Sequence, residues 1–292
     1  AAIQLINSAA VGVYHTCSPN EVDWIVNNSE SKIVFVGNNP GDNGEKDKMP
    51  VHRLNSIIDQ LSKVELIVLM DGVDQIQNDK IITWEKFLDK GKNVDTNQVI
   101  DRLENINSDD TASIIYTSGT TGNPKGVELT YHNFNFELDC LLTFLRYDQG
   151  EKFISWLPGA HVFGQALDNH YWIRTAMHMH IADNPLNTVD IAKEIQPSLF
   201  ISVPRVYEKV YSNLKSAIES KAILKYGLKI PIMKNALKKK LRTAAGFGNL
   251  KFAISGAAPI NPDILKFFQS LNIPVYEGWG LTETTAGATL NY

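Results

Sequence analysis

Six short runs of β-branched and aliphatic residues recur along the chain, each pair separated by enough sequence for at least one helix. They are "KIVFV" (32–36), "ELIVLM" (65–70), "ASIIY" (112–116), "FISWL" (153–157), "SLFISV" (198–203) and "LKFAIS" (250–255). Near-continuous apolar runs of this length predict strands buried on both faces. Helical spacing fills the intervals. After Thr130 the apolar positions are Phe134, Leu138, Leu141, Leu142 and Leu145; after Pro204 they are Val206, Val210, Leu214 and Ile218. Ser202 is read as the N-cap of that second helix, with Pro204 in its first turn. Strand–helix alternation predicts an α/β fold of largely parallel sheets flanked by helices. No repeat interrupts it, and "GNNPGDNGEKDKMP" (37–50) is the clearest turn-rich, exposed segment.

Composition narrows the function classes. The chain has 292 residues, 43% hydrophobic and 21% charged, with a net charge of -4. A sizeable core is expected, and the basic excess of a nucleic-acid binder is missing. Cys17 and Cys140 are too few for a disulfide framework, which fits a reducing, cytoplasmic setting. No window approaches the roughly 18 apolar residues of a membrane span. The first residues read as the middle of a helix and the last as an uncapped stop, so a piece of a longer chain is expected.

The stretch "YTSGTTGNPKGVELT" (116–130) follows a predicted strand and carries glycines, hydroxyls and Lys125. Glycines let backbone N–H groups approach an anion, hydroxyls add donors, and a lysine adds charge. A phosphate-binding loop ahead of a helix-forming region is the expectation; a plain surface loop is the alternative. It is not the loop of the P-loop NTPases, because Pro124 stands five residues after Gly119.

That stretch resembles the phosphate-binding signature of the adenylate-forming (AMP-binding) superfamily. "SGAAPI" (255–260) resembles the adenine-side loop of the same family, and "YEGWGLTET" (276–284) its adenine, phosphate and magnesium motif. The three motifs occur in the family's order. "LPGAHVFG" (157–164) and "VPRVYEKVY" (203–211) resemble the long-chain fatty acyl-CoA synthetase branch. The resemblance implies the fold of a large N-terminal acyl-CoA synthetase domain. Residues 1–292 are then an incomplete AMP-binding domain, with the C-terminal lid domain outside the chain.

It also implies a reaction in two halves. A fatty acid carboxylate attacks the α-phosphorus of ATP to give acyl-AMP and pyrophosphate; the thiol of CoA then takes the acyl group. ATP, fatty acid, CoA and Mg²⁺ are the implied substrates and cofactor. Thr117, Ser118, Gly119, Thr120, Thr121, Gly122 and Lys125 would cradle the β- and γ-phosphates. Glu283 would hold Mg²⁺, with Thr117 as a hydroxyl ligand or near neighbour; one carboxylate plus phosphate oxygens is an ordinary Mg²⁺ arrangement. Thr282 would meet the α-phosphate. Trp279 stands where the family usually has Tyr and would stack on adenine. Gly256, Ala257 and Gly278 would bring backbone to the nucleotide, and Glu277 would meet the adenine edge. His161, with Lys125 one of two expected catalytic residues, and Val162 would border the α-phosphate and the acyl tunnel.

Plainer roles compete. Trp279 could be a core residue, Glu283 a helix N-terminal carboxylate, and His161 a satisfied structural histidine. "MHMH" (177–180) is read as strand alternation and not as a ligand pattern. From Lys221 to Arg242 run eight cations and no acid, either a solvated helix face, or a peripheral membrane surface or docking site for the acidic CoA tail. Three functions remain open: a long-chain fatty acid–CoA ligase; an acyl-AMP ligase or a medium-chain or aryl acid–CoA ligase; or a non-catalytic nucleotide-binding fragment. In each case this chain alone is expected to be inactive.

Overall fold

The computed structural model describes residues 1–37, 50–118, 122–182 and 184–291. Most of the turn-rich segment, and Gly119, Thr120 and Thr121 of the glycine-rich loop, lie outside the described residues. The chain forms two compact units, Ala1–His132 and Asn133–Tyr292.

The first unit runs α1 (Ala2–Leu5), β1 (Ala10–Gly12), α2 (Pro19–Asn28), β2 (Ile33–Val36), α3 (Pro50–Asn55), β3 (Leu66–Leu69), β4 (Ile81–Thr83), α4 (Trp84–Gly91), α5 (Thr96–Glu104), β5 (Thr111–Thr117) and β6 (Lys125–Thr130). Helix α2 starts where local chemistry demands it. Ser18 Oγ accepts the Glu21 amide, the Glu21 carboxylate accepts the Ser18 amide, and Pro19 opens the helix. Strands β2, β3 and β4 form a parallel sheet in that order. The expectation of burial on both faces fails at β2, where Ile33 and Phe35 are 44% and 39% exposed. β2 is a sheet edge, and Phe35 finds its cover in the edge-on rings of Trp84 and Phe87 from α4.

A second sheet has the order β1-β5-β6, parallel between β1 and β5 and antiparallel between β5 and β6. This corrects the reading of the glycine-rich stretch. It turns an antiparallel hairpin, and a strand, not a helix, follows it. Only Leu129 of β6 is buried and Lys125, Gly126 and Glu128 are exposed, so β6 lacks the apolar run that marks the other strands.

The second unit begins within α6 (Tyr131–Phe144) and continues with β7 (Lys152–Ser155), α7 (Val162–Gln165), a π-helical stretch (Ala166–Tyr171), α8 (Trp172–Thr175), β8 (His178–Ile181), α9 (Thr188–Ile195), β9 (Leu199–Ser202), α10 (Pro204–Ser220), α11 (Ala222–Gly227), α12 (Pro231–Ala244), β10 (Phe252–Ser255), α13 (Pro262–Ser270), β11 (Val275–Trp279) and β12 (Thr289–Leu290). Its sheet has the order β12-β11-β10-β9-β7-β8, parallel throughout except β12. Period-two alternation sends Phe153, Leu199, Ile201 and Phe252 into one core with Leu138, Leu167 and Tyr171. Ile154, Phe200 and Ala253 enter another with Tyr207, Val210, Leu214, Ile264 and Phe268. Helices therefore cover both faces, as the sequence predicts. "MHMH" is strand, also as predicted.

One boundary differs. Ser202 is the last residue of β9, not a helix cap; Val203 occupies the N-cap position without a side-chain bond, and Pro204 opens α10. A proline in the first turn has no N–H to satisfy and its φ is already helical, so the helix starts without a capping hydroxyl. Among the described residues no helix is long and apolar enough to cross a membrane.

Candidate functional site

In the second unit the strand order reverses between β7 and β9. Ligands of open α/β sheets bind outside the carboxyl ends of the strands at such a reversal. The motif residues of this unit leave those ends: His161 follows β7, Gly256 and Ala257 follow β10, and Glu277 to Glu283 lie at the end of β11 and beyond it. Trp156 ties the reversal together, its indole N–H donating to the Ile201 carbonyl at 3.0 Å.

His161 caps α7. Its Nδ1 accepts the Phe163 amide at 3.2 Å, and its own amide donates to Pro158 O at 2.9 Å. An accepting Nδ1 places the ring proton on Nε2. Burial pushes the imidazole pKa down, which favours that neutral form. Val162 is 2% exposed. Gly164 allows the turn to close, since a Cβ there would sit 2.5 Å from the Pro158 carbonyl oxygen. The π-helical stretch follows at once, a feature frequent at functional sites. It carries Asp168, whose carboxylate accepts Ser155 Oγ at 2.5 Å. Burial raises the Asp168 pKa to about 6, against the lowering effect of the Ser155 bond.

At the end of β10, the Gly256 amide donates to Ser202 O at 3.0 Å, and Ala257 holds the left-handed conformation with φ 68°. A non-glycine residue held there stores strain, and such residues cluster at ligand sites. Glu277 braces this loop: its carboxylate accepts the Ile260 amide at 3.1 Å. Gly278 pairs with Leu290, and Trp279 with Thr289.

Trp279 is 59% exposed, which overturns its reading as a core residue and leaves its ring face available. Beyond it the chain folds back on itself. The Ala288 amide reaches Trp279 O at 2.9 Å, Leu281 N donates to Thr284 Oγ1 at 2.8 Å, and a Cβ on Gly280 would meet Ala286 O at 1.8 Å. Thr282 and Glu283 sit on the resulting single turn, Thr282 half-buried and Glu283 exposed. A three-residue turn builds little macrodipole, so the helix-terminus role for Glu283 loses its basis.

The glycine-rich hairpin belongs to the first unit. Thr117 and Lys125 pair across its mouth, the hydroxyl half-buried and the lysine exposed. Ser118 and Gly122 are exposed, Gly122 with φ 100°. Two side chains anchor the hairpin to α2. Tyr116 Oη donates to Asn28 Oδ1 at 2.6 Å, and the Trp24 indole donates to Pro124 O at 2.9 Å.

Among the described residues no three His, Cys, Asp or Glu side chains are placed to hold a metal ion. Glu283, a single exposed carboxylate, is a ligand type that suits a hard cation taking most of its other ligands from phosphate and water.

The family model for AMP-binding enzymes matches residues 1–292. The chain belongs to the AMP-binding enzyme family. Within that family it is 26% identical to the long-chain-fatty-acid–CoA ligase ACSBG2 of Xenopus laevis, over 97% of this chain and 41% of the relative. It is 28% identical to the long-chain-fatty-acid–CoA ligase FadD15 of Mycobacterium bovis, over 99% of this chain and 50% of the relative. The chain thus spans about half the length of the curated relatives it matches. The inhibitor-bound N-terminal domain of FACL13 from Mycobacterium tuberculosis superposes with a TM-score of 0.64 at 19% identity, covering 99% of this chain and 60% of that one. This AMP-binding chain therefore has the α/β fold of an acyl-CoA synthetase N-terminal domain.

Two polar groups escaped the sequence reading. Asp168 gave no signal beyond one acid in an apolar stretch. Glu137 did give one: it lies in the stripe Phe134–Leu138–Leu141 at helical spacing, and an acid in that stripe is buried with its helix.

Proposed function

We propose that this chain carries the nucleotide-handling part of an ATP-dependent, AMP-forming long-chain fatty acid–CoA ligase. The observation behind this reading is the gathering of His161, Gly256, Ala257, Glu277, Gly278, Trp279, Thr282 and Glu283 at the carboxyl ends of one parallel sheet, in a chain matched throughout by the AMP-binding family. The two curated ligases named above support fatty acids as the acyl substrate.

The chemistry brings a carboxylate to a polyphosphate, so charge neutralisation and in-line positioning dominate it. Lys125, with the hydroxyls of Thr117, Ser118, Thr120 and Thr121 and the backbone of Gly119 and Gly122, binds the β- and γ-phosphates. Glu283 would hold Mg²⁺, which when bound would offset phosphate charge. Thr282 orients the α-phosphate. The exposed face of Trp279 stacks on adenine; a Trp supplies at least the π surface of the usual Tyr, without its phenolic O–H. His161, neutral with its proton on Nε2, donates a hydrogen bond to oxygen at the reacting centre. Val162 lines the acyl path beside it. In the complete protein, carboxylate-dependent ATP–pyrophosphate exchange should rise along a series from acetate to long-chain acids. A maximum at short or aryl acids would move the substrate; exchange with none would overturn the reading.

We also propose that the α11–α12 corner meets an anionic bilayer. Ile223, Tyr226, Ile230 and Ile232 are 62%, 59%, 44% and 90% exposed there, within the acid-free segment of eight cations. Apolar tips among lysines suit an interface that supplies fatty acids. Replacing Ile223, Tyr226 and Ile232 with Ser should reduce sedimentation with phosphatidylserine vesicles; unchanged sedimentation would contradict the contact.

A further inference from the structure

The turn that presents Thr282 and Glu283 is closed by its own backbone, but its hold on the rest of the second unit includes a buried carboxylate. Glu137, in the middle of α6, is 7% exposed. Its Oε1 accepts the amide of Gly287 at 3.2 Å. Gly287 lets the carboxylate come this close, because a Cβ there would stand 2.5 Å from the same oxygen and push it aside. The pairing is mutual: the helix places an acid where an apolar residue would ordinarily pack, and the loop places a glycine where that acid reaches. Thr285 and Ala286, the two residues before the contact, have φ of 58° and 91°, so the loop arrives in a conformation side chains resist. A strained loop persists only where its surroundings over-determine it.

We propose that Glu137 is a positioning residue for the Thr282–Glu283 turn: its carboxylate clamps the Gly287 amide and so fixes where the metal and phosphate side chains stand. Glu137 does not touch the nucleotide; it acts through the loop. The assignment rests on the nucleotide reading of Thr282 and Glu283 above. The buried Glu137 oxygen accepts the backbone N–H, and removing it leaves the Gly287 amide without its partner.

The test is hydrogen exchange of the complete protein with and without MgATP, followed in the segment 280–288. In the wild-type protein this segment should exchange slowly, and more slowly with MgATP. In Glu137→Ala it should exchange about tenfold faster or more, the effect of leaving one amide without its acceptor, while 252–255 in β10 is unchanged. The MgATP concentration giving half protection should rise by a similar factor. Glu137→Gln keeps an acceptor oxygen at the same reach and should restore most of the protection. Gly287→Ala should reproduce the Glu137→Ala pattern with the acid intact, which covers a misfolded Glu137→Ala. Unchanged exchange of 280–288 in both Glu137→Ala and Gly287→Ala overturns the clamp. Faster exchange with no MgATP protection anywhere in wild type overturns the nucleotide reading and, with it, the positioning role, leaving a structural tie.

Discussion

Two hairpins carry the motif chemistry, and they are built differently. The β5–β6 hairpin of the first unit is long: Thr111 to Thr117 pair with Lys125 to Thr130, and two neutral side chains, Tyr116 and Trp24, fasten it to α2. The β11–β12 hairpin of the second unit is short. Among the described residues its register pairs are Gly278–Leu290 and Trp279–Thr289, and beyond that ladder the Glu137 side chain holds the loop at Gly287. The first is a stiff ladder offering a cation at its mouth. The second is a strained turn offering a carboxylate, held by an ionisable group. Antiparallel closure is common to both and exceptional in this otherwise parallel molecule.

The sharpest way to break the comparison is to remove the charge each hairpin offers. Lys125→Ala and Glu283→Ala should each lower carboxylate-dependent ATP–pyrophosphate exchange by about 10²–10³-fold, the usual cost of losing one preorganised electrostatic contact in a reacting site. The two should differ in one respect: raising Mg²⁺ should partly rescue Glu283→Ala and not Lys125→Ala. Equal insensitivity to Mg²⁺ would remove the metal role from Glu283.

A smaller effect separates the two anchors. Burial raises the Glu137 pKa from 4.5 to about 7, and the Gly287 amide only partly opposes it. Between those values the folded state binds more protons than the unfolded one, so Glu137 makes stability fall as pH rises through that window. Glu137→Gln should flatten the decline of melting temperature between pH 5 and pH 8. Trp24→Phe deletes the indole N–H that reaches Pro124 and should lower stability by about 1 kcal/mol, equally at both ends of that range. A pH slope unchanged in Glu137→Gln would show that the buried acid does not titrate there.

The same contrast explains what could be read in advance. All six apolar runs are strands; those inside the second unit's parallel sheet are apolar along their length because both faces are buried. The strands of the hairpins escaped for the opposite reason. β6 is largely exposed and polar, β12 is two residues long, and neither needs an apolar run to form. A glycine-rich stretch followed eventually by a helix therefore read as strand–loop–helix, when β6 lay between. The motif positions stand out in the sequence because glycines, threonines and single charges at fixed spacing are not what an apolar core requires. The burial of Glu137 shows in the apolar stripe around it, but its partner does not, because that partner is a backbone amide 150 positions away. Ser202 was misread as a cap because a serine two residues before a proline fits the end of a strand as well as the start of a helix.

The central claim is that the chain's nucleotide residues serve AMP-forming activation of a carboxylate. It is tested most directly by quenching the complete protein, with ATP, Mg²⁺ and a long-chain fatty acid but no CoA, and resolving the products by mass spectrometry. The account predicts a protein-bound acyl-adenylate with one pyrophosphate released per adenylate. Formation of ADP, or no nucleotide product in a folded protein that binds MgATP, would contradict it.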